Sequence, residues 1–177
     1  TAEKTEIQAD GSSLSYIDID VNDKDGRFVS SADNSIRFTF TGNGTIVGVD
    51  NGNPSTVDKF QQKSVLTSDK TANIKAFSGK ALVIVRSTEG AGGFVLKAES
   101  AGLKGDSVFV NTVGDKKGEV FLKDYKVKSE YTVTMGTKPQ LQTAVTGIMS
   151  DDSTQEGTIT WNLTDEMYNT PGEKELK

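Results

Sequence analysis

The residue types that run most hydrolytic and redox chemistry are missing from these 177 residues, which contain no histidine and no cysteine. Histidine is the commonest general base and metal ligand near neutral pH, and cysteine supplies thiolate nucleophiles and zinc ligands. Carboxylates, Lys, Tyr, Ser and Thr are what is left for catalysis. Asp18 and Asp20 stand two apart, which on a strand puts their Cα atoms about 7 Å apart on one face. Hydrolysis of a glycoside needs two carboxyl groups facing each other across the sugar, ~5–9.5 Å apart. Neighbours on one exposed strand enclose no substrate, so a solvated strand face is the better reading. The loop Val21-Asn22-Asp23-Lys24-Asp25-Gly26 has some look of a calcium loop. With Gly26 at position six, Asp23 and Asp25 fit positions three and five, but Val21 and Ala32 fall where the first and last ligands belong. A hairpin turn in which Asp-Gly supplies positive φ explains the same residues. No metal or other cofactor is expected.

Three further features could bind rather than react. Gly42-Asn43-Gly44 lacks the Gly-Lys-Ser/Thr signature and the following helix of a phosphate loop, and reads as a turn. In Gly48-Val49-Asp50-Asn51-Gly52-Asn53-Pro54, Asp50, Asn51 and Asn53 could bond to backbone and stiffen a polar excursion, or could meet sugar hydroxyls. Trp161, the single tryptophan, could stack on a pyranose, although Ile159 shares its strand face and favours a core position. Asp50, Asn51, Asn53 and Trp161 are the candidate carbohydrate-binding residues, with a structural role favoured for each.

The elements that would position them read as strands. Ile17, Ile19 and Val21 alternate with Asp18 and Asp20; Ile36, Phe38 and Phe40 alternate with Arg37 and Thr39; Phe94, Leu96 and Ala98 repeat the pattern. This is the period of half-buried antiparallel strands. Turn signals such as Asp10-Gly11, Asp25-Gly26, Asn51-Gly52 and Ser78-Gly79 punctuate them, and Ser107–Val113 supplies a last strand. Residues 1–113 are expected to form one sandwich of about seven strands. Residues 114–119, with Gly114 and Gly118 around three charges, read as a linker. Residues 120–177 read as a second, shorter sandwich that lacks its last strand. In that part Tyr131 and Val133 restart the alternation, 144–149 is strand-like, and Thr158–Trp161 is a further strand.

The balance of 20 basic and 25 acidic residues gives a net charge of −5, which argues against nucleic acid as a partner. The longest aliphatic run, Ala81–Val85, is far shorter than the ~20 residues of a membrane-spanning helix. No sorting signal is visible, and the chain reads as an excised fragment, expected to be monomeric.

Residues 10–103 resemble the immunoglobulin-like module that follows the catalytic barrel in bacterial family 2 glycoside hydrolases of the β-galactosidase type. The elements that carry the resemblance are Asp10-Gly11-Ser12, Ala32-Asp33-Asn34, the run Ile46–Pro54 and Ala76–Val85. From about residue 120 onward the chain resembles a bacterial Ig-like repeat, on Val133, Gly136-Thr137, Pro139, Thr160-Trp161 and Pro171-Gly172. The resemblance implies two tandem Ig-like sandwiches from a multimodular, streptococcal-type surface β-galactosidase, secreted or wall-attached. It implies a spacer role with neighbouring domains of the parent chain as partners. Binding of galactose-containing glycans is the alternative. The parent's catalytic glutamates have no counterpart here, and no catalytic residue is expected.

Overall fold

A computed structural model describes residues 1–56, 70–128 and 130–174. The chain divides into two compact units, Thr1–Phe121 and Leu122–Lys177, and both are built mainly of strands.

In the first unit the strands are β1 (Glu6–Gln8), β2 (Leu14–Asp20), β3 (Ser35–Gly42), β4 (Gly44–Asp50), β5 (Thr71–Lys75), β6 (Lys80–Ser87), β7 (Phe94–Glu99) and β8 (Asp106–Val113). They form a five-stranded sheet in the order β1-β8-β7-β3-β5 and a three-stranded sheet in the order β2-β6-β4. All pairs are antiparallel except β1 with β8, which run parallel. The alternation read from sequence fixes which face points inward. Ile17, Phe38, Phe40, Val49, Val83, Val85, Phe94, Leu96 and Val110 are all buried in one cluster. Phe40 and Phe94 stack with ring centroids 5.0 Å apart. A fully buried side chain of this size stabilises by roughly 1.5–3 kcal/mol, so this cluster dominates the unit's stability.

The chain crosses between the sheets at one residue, Asn43, which lies between β3 and β4. Gly42 makes the bend possible with φ +109, and a Cβ there would stand 2.4 Å from the Phe121 ring. Asn43 is buried. Its backbone N–H donates to the Gly93 carbonyl at 2.9 Å. Its carboxamide donates to the Glu119 carbonyl at 2.9 Å and the Gly93 carbonyl at 3.3 Å, and accepts from the Glu119 N–H at 2.8 Å. The Lys70 ammonium donates to the carbonyls of Gly42 and Gly44 on either side, at 2.9 Å each.

Residues 114–119, expected as a linker, are instead fastened to this corner. Ala91 N–H donates to Lys116 O, and Gly118 N–H donates back to Ala91 O. A Cβ on Gly118 would lie 2.3 Å from Ala91 O, so the close approach requires glycine. Phe121 is buried, and the first unit extends to it. Its polar, charged composition suggests a linker, but backbone groups of Lys116, Gly118 and Glu119 bond to the corner.

The second unit contains β9 (Leu122–Lys126), β10 (Ala144–Met149), β11 (Thr154–Thr158) and a short helix α1 (Asp165–Asn169). Its antiparallel sheet has the order β11-β10-β9. Two expectations are corrected here. Residues 131–134 form no strand, and β9 occupies Leu122–Lys126 instead. The strand expected at Thr158–Trp161 lies earlier, because the turn at Met149–Ser153, with Asp152 at φ +61, returns the chain at once and pairs Ile148 with Thr154. Among the described residues no second sheet faces this one, and no hydrophobic side chain of this unit is buried.

Asp10 closes the turn into β2. Its carboxylate accepts from the Ser12 and Ser13 N–H groups at 2.8 and 2.7 Å and from the Ser13 hydroxyl at 2.8 Å. These bonds, the Ser12 backbone first, hold its pKa far below the usual carboxylate range. A depressed folded-state pKa contributes stability that is present above the unfolded value of about 4 and is lost as pH falls through the folded value. The stability gap between the protein and Asp10→Asn should therefore shrink between about pH 5 and pH 2, read as denaturation midpoints over that range.

Asn43 and Ser15 predict opposite outcomes. Truncating Asn43 orphans several buried groups, so Asn43→Ala should cost about 2–3 kcal/mol and should release amide protection in residues 114–121. The buried Ser15 hydroxyl has no partner among the described residues, so Ser15→Ala should be neutral or stabilising by up to about 1 kcal/mol. Urea unfolding of both variants, with hydrogen exchange on the first, checks the pair.

Candidate functional site

The four candidate carbohydrate-binding residues do not form one site. Asp50, Asn51 and Asn53 belong to the first unit and Trp161 to the second.

Asp50 ends β4 and begins a series of side-chain-capped turns. Its Oδ1 accepts from the N–H groups of Asn51 and Gly52 at 2.7 and 3.1 Å. Asn51 Oδ1 accepts from Asn53 N–H at 3.0 Å, and Asn53 Oδ1 accepts from Ser55 N–H at 3.0 Å. The Asn51 amide donates to the Lys75 carbonyl on β5 at 2.8 Å. Gly52 takes φ +71 with open space around its Cα. Asp and Asn are here because their short side chains mimic a backbone turn. The same bonds engage Asp50 Oδ1 and the side-chain oxygens of Asn51 and Asn53 within the turn itself.

Trp161 follows β11 rather than lying in a strand, and it is half-buried. Its indole N–H donates to the Gln142 carbonyl at 2.7 Å. Tyr131 meets it edge-on, with ring centroids 6.5 Å apart, and the Tyr131 hydroxyl accepts from Gln142 N–H at 2.8 Å. The Lys128 ammonium sits over the Tyr131 ring, 4.6 Å from its centroid. Sequence reasoning singled out the tryptophan but missed Lys128, Tyr131 and Gln142. All three come from irregular segments, where no period or spacing announces a contact.

The acidic residues are likewise engaged in structure. Asp23 Oδ1 accepts from the Asp25 and Arg27 N–H groups, both at 2.9 Å, which makes the 21–26 loop a capped turn. Asp20 pairs with Lys80 at 2.6 Å, and that pairing raises the lysine's pKa. Among the described residues no group of three or more carboxylates could hold a metal ion. An open cleft of about 590 Å³ lies at one end of the first sandwich. Ile19, Ile36 and Ala98 line it together with Asp20, Asp23, Glu99 and Asp106, and it includes none of the four candidate residues. Of those carboxylates, Asp20 is tied to Lys80, Glu99 to Lys97, and Asp23 to its own turn.

Residues 1–109 match the family described as glycoside hydrolase family 2 C-terminal domain 5, and residues 127–177 match the bacterial Ig-like domain, group 4. A β-galactosidase of Bacteroides ovatus, BoGH2A, is 38% identical over 104 residues, which are 59% of this chain and 11% of that protein. A crystal structure of a glycosyl hydrolase family 2 member from Bacteroides cellulosilyticus aligns with TM-score 0.57 and 30% identity, over 64% of this chain and 14% of that one. A β-glycosidase from Bacteroides vulgatus aligns with TM-score 0.55 and 27% identity, over 63% of this chain and 13% of that one. The chain therefore spans between a tenth and a seventh of these relatives. They are Bacteroides proteins and lend no support to a streptococcal-type surface attachment. Over its first unit, the chain belongs to the C-terminal domain 5 family of glycoside hydrolase family 2, and residues 127–177 are similar to a bacterial Ig-like domain.

Proposed function

We propose that this chain is a non-catalytic accessory region of a larger family 2 β-galactosidase, serving as a rigid spacer between other modules of that enzyme. The observation that carries this reading is the commitment of its polar groups. Asp10, Asp20, Asp23, Asp50, Asn51 and Asn53 all hold turns or ion pairs. The galactoside specificity of the parent rests on the likeness to the Bacteroides ovatus enzyme. Secretion or attachment to the cell wall belongs to the same proposal, and its support is the resemblance of the second unit to bacterial Ig-like repeats.

A second reading, glycan binding through Trp161, is favoured by one observation: the ring is half-buried and fixed by its indole bond to Gln142, as a stacking platform would need to be.

The purified chain should release no chromophore from a nitrophenyl β-galactoside, whereas the full-length polypeptide should turn it over. Turnover by the chain, abolished by one carboxylate substitution, overturns the accessory reading. Failure of the full-length protein to act on any β-galactoside overturns the assignment of the parent.

Trp161→Phe removes the indole donor and leaves the Gln142 carbonyl without it, so it should lower the stability of the second unit by about 1 kcal/mol. On a glycan array, the protein and this variant should both remain at background. Binding to galactose-containing glycans that falls with the variant would put the Trp161 reading first.

A further inference from the structure

Among the described residues of the first unit, the exposed large hydrophobic side chain that lies in a strand is Tyr16, on the outward face of the three-stranded sheet. On the five-stranded sheet the outward register rows pair Arg37 with Glu99, Thr39 with Lys97, and the half-buried Val95 with Phe109. On the three-stranded sheet, Ser15 and Ile17 of β2 and Ala81, Val83 and Val85 of β6 point inward and are buried. The alternate residues Leu14, Tyr16, Leu82 and Ile84 therefore point outward, and none belongs to the core cluster or packs against it. Tyr16 lies directly opposite Ile84 in the β2–β6 register, and Tyr16 is 39% exposed. Leu14 and Leu82 lie one pair away on either side, opposite Arg86 and Asp18. The result is an apolar centre with a charged rim formed by Arg86, Asp18 and the Lys80–Asp20 ion pair. That is the layout of a docking surface, with an apolar middle and a polar margin.

We infer that the outward face of the β2-β6-β4 sheet is where this module docks onto the rest of its own polypeptide, the remaining part of the glycosidase chain. The choice of occupant rests on the reading of the chain as part of a larger family 2 enzyme. Its relatives carry 86–89% of their length beyond the matched region. The whole apolar patch, residues 14–84, lies inside the stretch that matches the family domain.

The absence of cysteine makes the test direct. Single cysteines are placed at Tyr16 (Tyr16→Cys), at Leu82 (Leu82→Cys) and, as the control, at Lys97 (Lys97→Cys) on the opposite outward face. Each is made in this 177-residue chain and in the full-length polypeptide, with circular dichroism to confirm folding. Maleimide labelling is followed by mass spectrometry of the peptide that carries the new cysteine. Positions 16 and 82 should label freely in the short chain and at least tenfold more slowly in the full-length protein, while position 97 labels alike in both. Equal labelling of positions 16 and 82 in both contexts overturns the inference. So does protection in the short chain that grows with its concentration, which would make a second copy the occupant. If one cysteine variant fails to fold, the other decides. Galactosidase turnover of the full-length protein is scored separately, so loss of the proposed activity and loss of the docking face are distinguishable.

Discussion

The burial of two sheet faces against each other is the interaction on which the first unit depends. No disulfide can contribute, because the chain has no cysteine, and the described residues offer no cluster for a structural metal. Stability has to come from apolar area, and the aromatic pair Phe40–Phe94 with Phe38, Val83, Val85 and Val110 supplies it. The second unit shows what the same kind of sequence looks like without that term. Its sheet has three strands, its hydrophobic side chains stay half-buried or exposed, and Leu122, Tyr125 and Met135 each show half or more of their surface. Its order rests on a smaller polar and aromatic arrangement around Gln142, Tyr131 and Trp161.

Two sheets that share a core must be joined by chain that turns from one to the other, and the backbone groups at that turn lose their ladder partners. Asn43 solves this problem with one side chain. A carboxamide presents both a donor and an acceptor, so it can bond to both backbone groups of Glu119 while its own N–H serves Gly93. Lys70 adds a charged donor to the carbonyls on either side. Fully satisfied, such a corner is rigid, and it positions β4 so that Val49 and Ile46 face the core.

Much of this fold was legible in the sequence, for physical reasons. Strand alternation in Ile17–Val21, Ile36–Phe40 and Phe94–Ala98 follows from the pleat, and the structure places those inward residues in the core. The role of 114–119 was not legible, because its engagement depends on Asn43 and Ala91, more than twenty residues away in sequence. β11 is not legible because it is polar on both sides and exposed throughout Thr154–Thr158, while the hydrophobic signal lies further on, at Ile159 and Trp161. At the candidate sites, Asn and Asp in the 50–53 loop announce a turn equally well whether or not a ligand is present. Residue type alone could not separate capping from recognition; the bond partners could.

The parallel pairing of β1 with β8 has a mechanical meaning. These strands stand near the beginning and the end of the first unit, and run in the same direction with Glu6 beside Asn111 and Gln8 beside Val113. Further bonds continue the pairing at both ends, from Asn111 N–H to Thr5 O and from Ala9 N–H to Val113 O. Tension reaching β1 from its N-terminal side and β8 from its C-terminal side would pull the two strands in opposite senses along their common axis. Their hydrogen bonds would then share the load together rather than opening one after another, as they would at a hairpin pulled apart from its open end. A module built this way transmits force along a chain while keeping its core closed, an advantage for any polypeptide whose working parts are held in tension by what they are attached to.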